Sequence, residues 1–342
     1  MFVGVDSHKD TLAACVVDGA GREIAAATFE NSPAGHAKLL RWMQAAGDIE
    51  RVGVECSGTY GAGLGRFLVE QGVAAFEVPT KLSVRERRHL RRPGQSDPAD
   101  ALAIARVTLR EKLLPPLGRP QVADDLGVLV DFREELVLER TTTSNRLHAD
   151  LVVLCPGYNK RLRSLTTAAA LTRVLRLLRG NTALRADVAR RRVARQRELD
   201  RQIADMAATI SRRVKATRTT LTAIPGVEAL TAARILAEVG DVSRYPTADH
   251  FASANGTAPI PASSGRTVRH RLNRGGNRRL NKALYFVALT QAHYHAPARA
   301  YLDRKRAQGK TGREALRCLK RRLSDVVFRT LQADALALAA PS

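Results

Sequence analysis

The sequence predicts an α/β domain at the amino terminus followed by a mostly helical remainder. Short apolar runs alternate with helical patterns through residues 1–80, whereas three- and four-residue apolar periodicities dominate after residue 120. Aromatic residues make up only 4% of the 342 residues, which favours helical packing of Leu, Ala and Val over a β-sandwich. We therefore predict an α/β domain, an all-α coiled-coil middle and a mainly α-helical carboxyl-terminal domain.

Apolar runs with strand-like lengths define the first domain, residues 1–115. The predicted strands are 2–5, 12–17, 23–29, 52–54 and 73–78, and the predicted helices are 32–46 and 58–71. Three successive strands followed by alternating strands and helices indicate a mixed sheet. A last helix, 97–106, begins after Ser96 as its N-cap and has Pro98 in its first turn. Pro115, Pro116 and Pro120 mark a linker.

Long helical patterns define the middle region, residues 116–216. Helices are predicted at 121–155, 165–178 and 184–216. The first carries Leu129, Phe132, Leu136, Arg140, Thr143, Leu147 and Leu151 on one face, and the last carries Leu199, Ile203, Met206, Ile210 and Val214. These seams resemble a coiled coil, and the pattern fits an intramolecular hairpin and a dimer interface equally well.

The carboxyl-terminal region divides into residues 217–305 and a basic helical tail, 306–342. Residues 221–240 predict a helix, a Pro-Gly turn and a second helix, similar to a helix–hairpin–helix element. Residues 255–282 combine glycines, prolines and the pair Ser263-Ser264 with many arginines, and an apolar helix is predicted at 280–292.

The charge is large and unevenly distributed. The net charge is +23, but residues 1–80 have a balance of −4 and residues 81–342 a balance of +27. A basic field of this size predicts a nucleic-acid partner. The candidate contact residues are Arg87, Arg88, Arg91, Arg92, Arg266, Arg269, Arg271, Arg274 and Arg278.

Composition also bears on the compartment. The four cysteines, Cys15, Cys56, Cys155 and Cys318, show neither zinc spacing nor a disulfide framework. No segment has the layout of a signal peptide or a membrane span, so we expect no membrane partner. A reducing cytoplasm, beside the bacterial nucleoid, is the expected location.

Four acids occupy positions that suit a metal site. Asp6 ends the first predicted strand, Glu55 ends a later one, and Asp97 and Asp100 are three residues apart on one helix. A ribonuclease-H-like domain assembles its acids in this order, and converging carboxylates suit Mg²⁺. Each acid alone is also explained by turn chemistry or by the helix dipole.

Several motifs, in order, resemble the insertion-sequence-110 family of DEDD transposases. They are GVDSHKD, VGVECSGTYG, QSDPADALAIA, IPGV..LTA..ILAEVGD and SSG…GGN..L, and they extend over nearly the whole chain. The resemblance implies a RuvC-like first domain, a coiled-coil middle and a carboxyl-terminal transposase domain. It implies metal-binding roles for Asp6, Glu55, Asp97 and Asp100, a nucleophile at Ser263 or alternatively Ser264, and a bridge RNA. The chain departs from the family pattern at Gln95, commonly Lys, and at Arg266, commonly Gly.

The serine prediction also has a basis in the residues. A hydroxyl in a Gly- and Pro-rich segment can approach a phosphate closely, and the following arginines can neutralise charge on phosphorus. We predict a DNA recombinase that acts on donor and target DNA as a homo-oligomer, a dimer or tetramer. One alternative is a Holliday-junction-type endonuclease in which water attacks. A second is a non-catalytic nucleic-acid scaffold.

Overall fold

The computed structural model of the chain describes residues 1–56, 58–89, 97–112, 114–118, 120–261, 270–271, 273 and 275–339. Two compact units are present, Met1–Arg119 and Pro120–Ser342. The finer division at residues 216 and 305 stays a prediction. None of the helices in the described part of the chain is both long enough and apolar enough to cross a membrane.

A mixed five-stranded sheet forms the centre of the first unit. Its strands are β1 (Phe2–Ser7), β2 (Thr11–Val17), β3 (Glu23–Glu30), β4 (Arg51–Val54) and β5 (Ala75–Glu77). The order is β3-β2-β1-β4-β5, with β1, β2 and β3 antiparallel and with β4 and β5 parallel to β1. The predicted mixed sheet is confirmed, and this topology is that of a ribonuclease-H-like domain.

Helices cover both faces of this sheet. They are α1 (Pro33–Ala46), α2 (Ala62–Glu70), α3 (Thr80–His89) and α4 (Asp97–Arg110). Side chains alternate along β1, so Val3 and Val5 pack with α1 and α2, whereas Phe2 packs against α4. Both faces are therefore buried, which explains why β1 is a continuous apolar run rather than an alternating one.

Helix α4 lies unusually close to the sheet. A Cβ on Gly4 would lie 2.1 Å from the backbone nitrogen of Ala105, and one on Gly53 would lie 1.9 Å from Thr108 Oγ1. Arg106, in the carboxyl-terminal half of α4, donates to the carbonyl of Gly21, which follows β2. The end of β2 pairs with the start of β1, so this half of α4 lies near the start of β1. The amino-terminal end of α4 is therefore directed towards Asp6.

Two predictions for the first unit are corrected. The helix predicted at 58–71 begins only at Ala62, because Cys56 has a φ of 59° and the chain turns before the helix starts. The predicted linker at Pro115-Pro116 instead runs beside β5, where Glu77 donates to the Pro115 carbonyl and Leu117 to the Ala75 carbonyl, both at 2.7 Å. A proline tolerates this edge position because its missing N–H is not needed there.

The second unit is helical. Its helices are α5 (Gln121–Leu154), α6 (Ala168–Leu177), α7 (Leu184–Ala216), α8 (Ala229–Val239), α9 (Ala248–Ala254), α10 (Arg278–Tyr294), α11 (Ala296–Ala307) and α12 (Gly312–Ala339). Two short strands, β6 (Ile260–Pro261) and β7 (His270–Arg271), pair antiparallel. The predicted helix before Pro225-Gly226 is wrong, because only a single 3₁₀ turn forms at Leu221–Ala223.

Helices α5 and α7 form an antiparallel hairpin within the chain. The ion pairs Arg213–Asp125, Arg195–Glu139 and Arg192–Asp150 run in opposite sequence directions along the two helices. The open end of the hairpin joins the core of α8 to α12, and the closed end packs against α6. The hairpin alternative is therefore observed, whereas dimerisation stays a prediction.

The predicted seams of this hairpin are only partly correct. Leu136, Leu147 and Leu151 are buried, but Phe132 is 47% exposed. On α7, Ile203 and Met206 are half-buried. Periodicity misplaces Phe132 because α5 also carries the exposed apolar residues Val128 and Leu138, so more than one face of the helix is apolar.

Candidate active site

Two buried acids lie side by side at the ends of neighbouring strands. Asp6 is 7% exposed and Glu55 is 6% exposed. Val5 pairs with Val54 in the parallel ladder, and the Glu55 N–H donates to the Val5 carbonyl at 3.0 Å. Adjacent strands lie about 4.8 Å apart. Gly4 and Gly53 both face α4. Because residues two apart in a strand lie on the same face of a sheet, Asp6 and Glu55 lie on this face as well.

A third acid belongs to α4. The Oδ2 atom of Asp100 accepts a hydrogen bond from the Arg87 guanidinium at 2.8 Å, whereas its Oδ1 atom is buried without a hydrogen-bond partner. Asp97 begins α4, but only its backbone is described. Arg87, which the sequence predicts as a nucleic-acid contact, thus forms an ion pair with one predicted metal ligand, and its nucleic-acid role stays a prediction.

Several carboxylates act on the Cys56 thiol. The pKa of the Cys56 thiol is raised, first by burial and then by the charges of Glu55, Asp6 and Glu77. His8 Nε2 lies 3.2 Å from Asp6 Oδ2. Glu77, opposite Val54 in the β4–β5 ladder, and His8 are both missed by sequence reasoning. Glu77 could have been found from the sequence, because it ends the fifth strand, which lies beside the strand that Glu55 follows.

The donor chemistry of this site fits a divalent cation. Buried carboxylates need a compensating positive charge, and the unpartnered Oδ1 of Asp100 is an available oxygen ligand. No group of three or more His, Cys, Asp or Glu within the described ranges has the geometry of a metal site as it stands. The Asp97 side chain is outside those ranges, and Arg87 engages Asp100.

Few of the predicted nucleic-acid contacts have described side chains. Arg88, on α3, and Arg278, which begins α10, are both exposed. Arg271 has a described backbone in β7 but no described side chain. The remaining candidates lie outside the described residues; they are Arg91, Arg92, Arg266, Arg269 and Arg274, and the candidate nucleophiles Ser263 and Ser264 lie outside them as well.

The chain on both sides of residues 262–269 is firmly held. Strands β6 and β7 pair through Ile260 with Arg271 and Pro261 with His270. The Asn277 N–H donates to the Ala254 carbonyl at 2.7 Å. Gly276 packs so closely that a Cβ there would lie 2.3 Å from the Gly256 nitrogen. The two serines are therefore bracketed by ordered backbone.

A buried polar network supports these flanks. Lys320, 7% exposed, donates to Asn281 Oδ1 at 2.6 Å, and Asn281 donates to the Asn255 carbonyl at 2.7 Å. Fully buried Asn255 donates to Ser324 Oγ at 2.8 Å. Burial, and then the charge of Arg317, lowers the pKa of Lys320. The sequence did not predict this network, because Lys320 stands among other basic residues of the tail and nothing in the sequence marks it as buried.

Two family models match the chain. A DEDD model of IS110 elements, described as a transposase, matches residues 3–156. A second model, described as the transposase of the IS116/IS110/IS902 family, matches residues 218–303. Together they cover the acids of the first unit and the serine segment of the second.

Curated proteins are similar over most of their length. The chain is 29% identical to the 44.8 kDa protein of insertion element IS116 from Streptomyces clavuligerus, covering 100% of this chain and 97% of that protein. It is 30% identical to the 43.6 kDa protein of IS110 from Streptomyces coelicolor, covering 70% and 72%. It is 23% identical to a pilin gene-inverting protein of Moraxella bovis, covering 97% and 95%.

Among solved structures, a T. thermophilus RuvC in complex with a Holliday junction substrate is similar at 20% identity. It covers 34% of this chain and 100% of that chain, with a TM-score of 0.27.

Proposed function

This chain belongs to the IS116/IS110/IS902 family of transposases, and on that premise we propose that it cuts and rejoins DNA strands of a mobile element with a metal-binding acid site and a serine nucleophile. The enzyme class, a DNA transposase or recombinase, follows from the family. The observation that carries the proposal is the pair of buried acids Asp6 and Glu55, on adjacent strands beneath an α4 that bears Asp100.

Asp6, Glu55, Asp97 and Asp100 are the proposed ligands of Mg²⁺. When bound, a divalent cation stabilises charge on the attacking and leaving oxygens at phosphorus. The residues themselves supply a rigid oxygen-rich surface, since Asp6 and Glu55 are fixed by the ladder of β1 and β4. Arg87 balances Asp100 when no cation is present.

Ser263, with Ser264 as the alternative, is the proposed nucleophile. Its hydroxyl loses its proton as Oγ attacks the DNA phosphorus, the bond from phosphorus to the strand's sugar oxygen breaks, and that oxygen takes up a proton. The product is a phosphoserine bond and a free DNA hydroxyl. The reverse attack by a DNA hydroxyl rejoins a strand and frees the serine. The bond energy is conserved, so no nucleotide cofactor is consumed. The described chain beyond the serines is held by the hydrogen bond of the Asn277 N–H to the Ala254 carbonyl and by the close contact of Gly276 with Gly256.

The partners follow from this chemistry. Donor and target DNA are the proposed substrates, a bridge RNA is the proposed guide, and a homo-oligomer in the cytoplasm is the proposed assembly. The basic excess of residues 81–342 suits DNA and RNA backbones alike.

The test is strand cleavage of a plasmid that carries the element ends. We expect Asp6→Asn and Glu55→Gln to lose Mg²⁺-dependent cleavage, and the exposed-acid controls Asp10→Asn and Glu70→Gln to retain it. A covalent protein–DNA adduct, mapped by mass spectrometry, should lie on Ser263 or Ser264. Cleavage that survives the double variant Ser263→Ala/Ser264→Ala would instead identify water as the attacking group. Full activity of Asp6→Asn would favour the scaffold alternative.

A further inference from the structure

A cavity in the second unit is not used by the proposed chemistry. It has a volume of about 530 Å³ and lies between the Ile224-Pro225 turn, the end of α10, and helices α11 and α12. This volume lies within the range of pockets that bind nucleotide-sized ligands. Every lining residue belongs to the range 220–330, so the cavity contains none of the four candidate acids.

The walls of the cavity are mainly apolar with one aromatic ring. Ile224, Leu323 and Val326 contribute aliphatic surface, and Tyr301 contributes its half-buried ring. Burial, as the largest effect, raises the pKa of the Tyr301 phenol, so the ring stays neutral at physiological pH. A flat, weakly polar group can therefore stack on this neutral ring, beside which Lys305 Nζ lies 5.6 Å from the ring centroid.

Two arginines at the cavity are not neutralised by acids. The Arg304 and Arg322 guanidinium carbons lie 5.4 and 5.1 Å from the centroid of the Tyr301 ring. Neither forms an ion pair with a carboxylate in the part of the chain that the structure describes. Nearby Arg306 and Arg321, in contrast, pair with Asp303 and Asp249. The two unneutralised charges thus coincide with the cavity.

One polar atom in the lining lacks a partner. His295 Nδ1 is buried and forms no hydrogen bond within the described structure. Gln291, only 5% exposed, is already committed to the Pro225 carbonyl at 2.7 Å. Because His295 Nδ1 is fully buried, it does not face the cavity, and it is not part of the surface offered to a ligand.

We propose that this cavity binds an unpaired nucleobase extruded from a single DNA strand, with the adjoining phosphate on Arg304 and Arg322. A base has flat apolar faces that stack on Tyr and Arg side chains, an edge that hydrogen-bonds, and an anionic phosphate within a few ångströms. The cavity supplies a counterpart to two of these features, the stacking faces and the phosphate. The inference rests on the proposed function to the extent that nucleic acid is the partner.

The test is photo-crosslinking of the full-length protein, in EDTA, to a single-stranded oligonucleotide that contains 5-iodouracil. We expect an adduct on Tyr301, identified by mass spectrometry, and a roughly tenfold loss of total crosslinking in Tyr301→Leu but not in Tyr301→Phe. The matched control is Tyr285→Leu, because Tyr285 is exposed on α10 and lies outside the cavity lining. An adduct confined to other residues, or undiminished total crosslinking in Tyr301→Leu, would refute the inference.

A second pair of variants covers the case in which Tyr301→Leu does not fold. Arg304→Gln/Arg322→Gln changes only exposed side chains and should weaken oligonucleotide binding roughly tenfold, whereas Arg306→Gln should not. Labelling by free 5-iodo-dUMP as efficient as labelling by the strand would assign the cavity to a mononucleotide and overturn the extruded-base assignment. Because EDTA suppresses cleavage, crosslinking can succeed where the proposed catalysis fails. If Tyr301→Leu cleaves DNA and the wild type forms no adduct on Tyr301, the cavity inference is wrong while the proposed catalysis still stands.

Discussion

Asp100 is both the partner of an arginine and a candidate metal ligand. Its Oδ2 is held by Arg87, its Oδ1 is buried and unpartnered, and its side chain is 16% exposed. A guanidinium and a divalent cation would therefore compete for the same carboxylate. A dense basic run in sequence does not reveal which of its members forms an ion pair with an acid of the same domain, as Arg87 does.

The competition gives a prediction for Arg87→Gln. Without Mg²⁺, the free energy of unfolding should fall by about 2 kcal/mol, because a buried carboxylate loses its charged partner. Addition of Mg²⁺ should then raise the melting temperature more in the variant than in the wild type, since the cation no longer displaces an arginine. Thermal unfolding with and without Mg²⁺ measures both, and Arg85→Gln, an exposed neighbour on α3, is the control. Equal Mg²⁺ responses in the wild type and Arg87→Gln would contradict the competition.

Cys15 gives a pH-dependence prediction. Burial raises the pKa of this fully buried thiol from 9.0 to about 12, with a further increase from Glu23 and an opposing effect of Arg106. The folded state therefore holds the proton more tightly than the unfolded state, and this contribution is complete below pH 9 and lost as pH rises towards 12. The slope is at most about 1.4 kcal/mol per pH unit.

The measurement compares Cys15→Ala with the wild type. Urea unfolding followed by the fluorescence of Trp42, the single tryptophan, at pH 8 to 11 should show a flatter decline in the variant. Packing loss lowers its stability at every pH and does not change the slope. Parallel pH profiles would show that the thiol does not titrate on unfolding.

At the scale of elements, the seating of α4 on the sheet decides where its acids lie. Gly4→Ala would place a Cβ 2.1 Å from the Ala105 nitrogen, so α4 must shift or the strand must deform. We expect a loss of about 3 kcal/mol in the free energy of unfolding. Residual folded protein should cleave DNA poorly, because Asp100 moves with the helix. Gly19→Ala has open space around it and should change neither quantity. A neutral Gly4→Ala would mean that α4 is not held in this close contact.

The same scale shows what sequence patterns can and cannot predict. All five strands follow from apolar run length, and α5 and α7 follow from periodicity, because burial on a face imposes these repeats. Pairing of Pro115 beside β5 is not encoded in any local pattern, since it depends on a vacant sheet edge. The hairpin of α5 and α7 depends on contacts between residues far apart in sequence, such as Leu126 with Ile210, which no local pattern encodes. Asp6 and Glu55 could be predicted because strand ends meet at a sheet edge, and the end of β5 gives the same signal for Glu77, whereas the Lys320 network required the three-dimensional packing.

At the scale of the whole molecule, charge is separated along the chain. Residues 1–80 have an acidic balance and contain the candidate metal ligands Asp6 and Glu55, whereas the basic excess lies in residues 81–342, which contain Asp97 and Asp100. Part of that excess is neutralised internally, as in the buried Arg234, which pairs with Asp131, Glu134 and Glu238. Only arginines that lack such partners are available to release counterions from a nucleic-acid backbone.

This distinction predicts which arginines set the salt dependence of DNA binding. Affinity should fall steeply between 50 and 200 mM salt, by about 10³-fold or more if six or more phosphates are contacted. Arg88→Gln and Arg278→Gln, both exposed, should each reduce the slope of log affinity against log salt by about 1. Arg195→Gln should leave the slope unchanged, because Arg195 is engaged with Glu139 through two hydrogen bonds of 2.8 and 3.0 Å. Filter binding in EDTA separates this readout from cleavage. An equal effect of all three substitutions would mean that bulk charge, and not the pairing of individual arginines, governs the interaction.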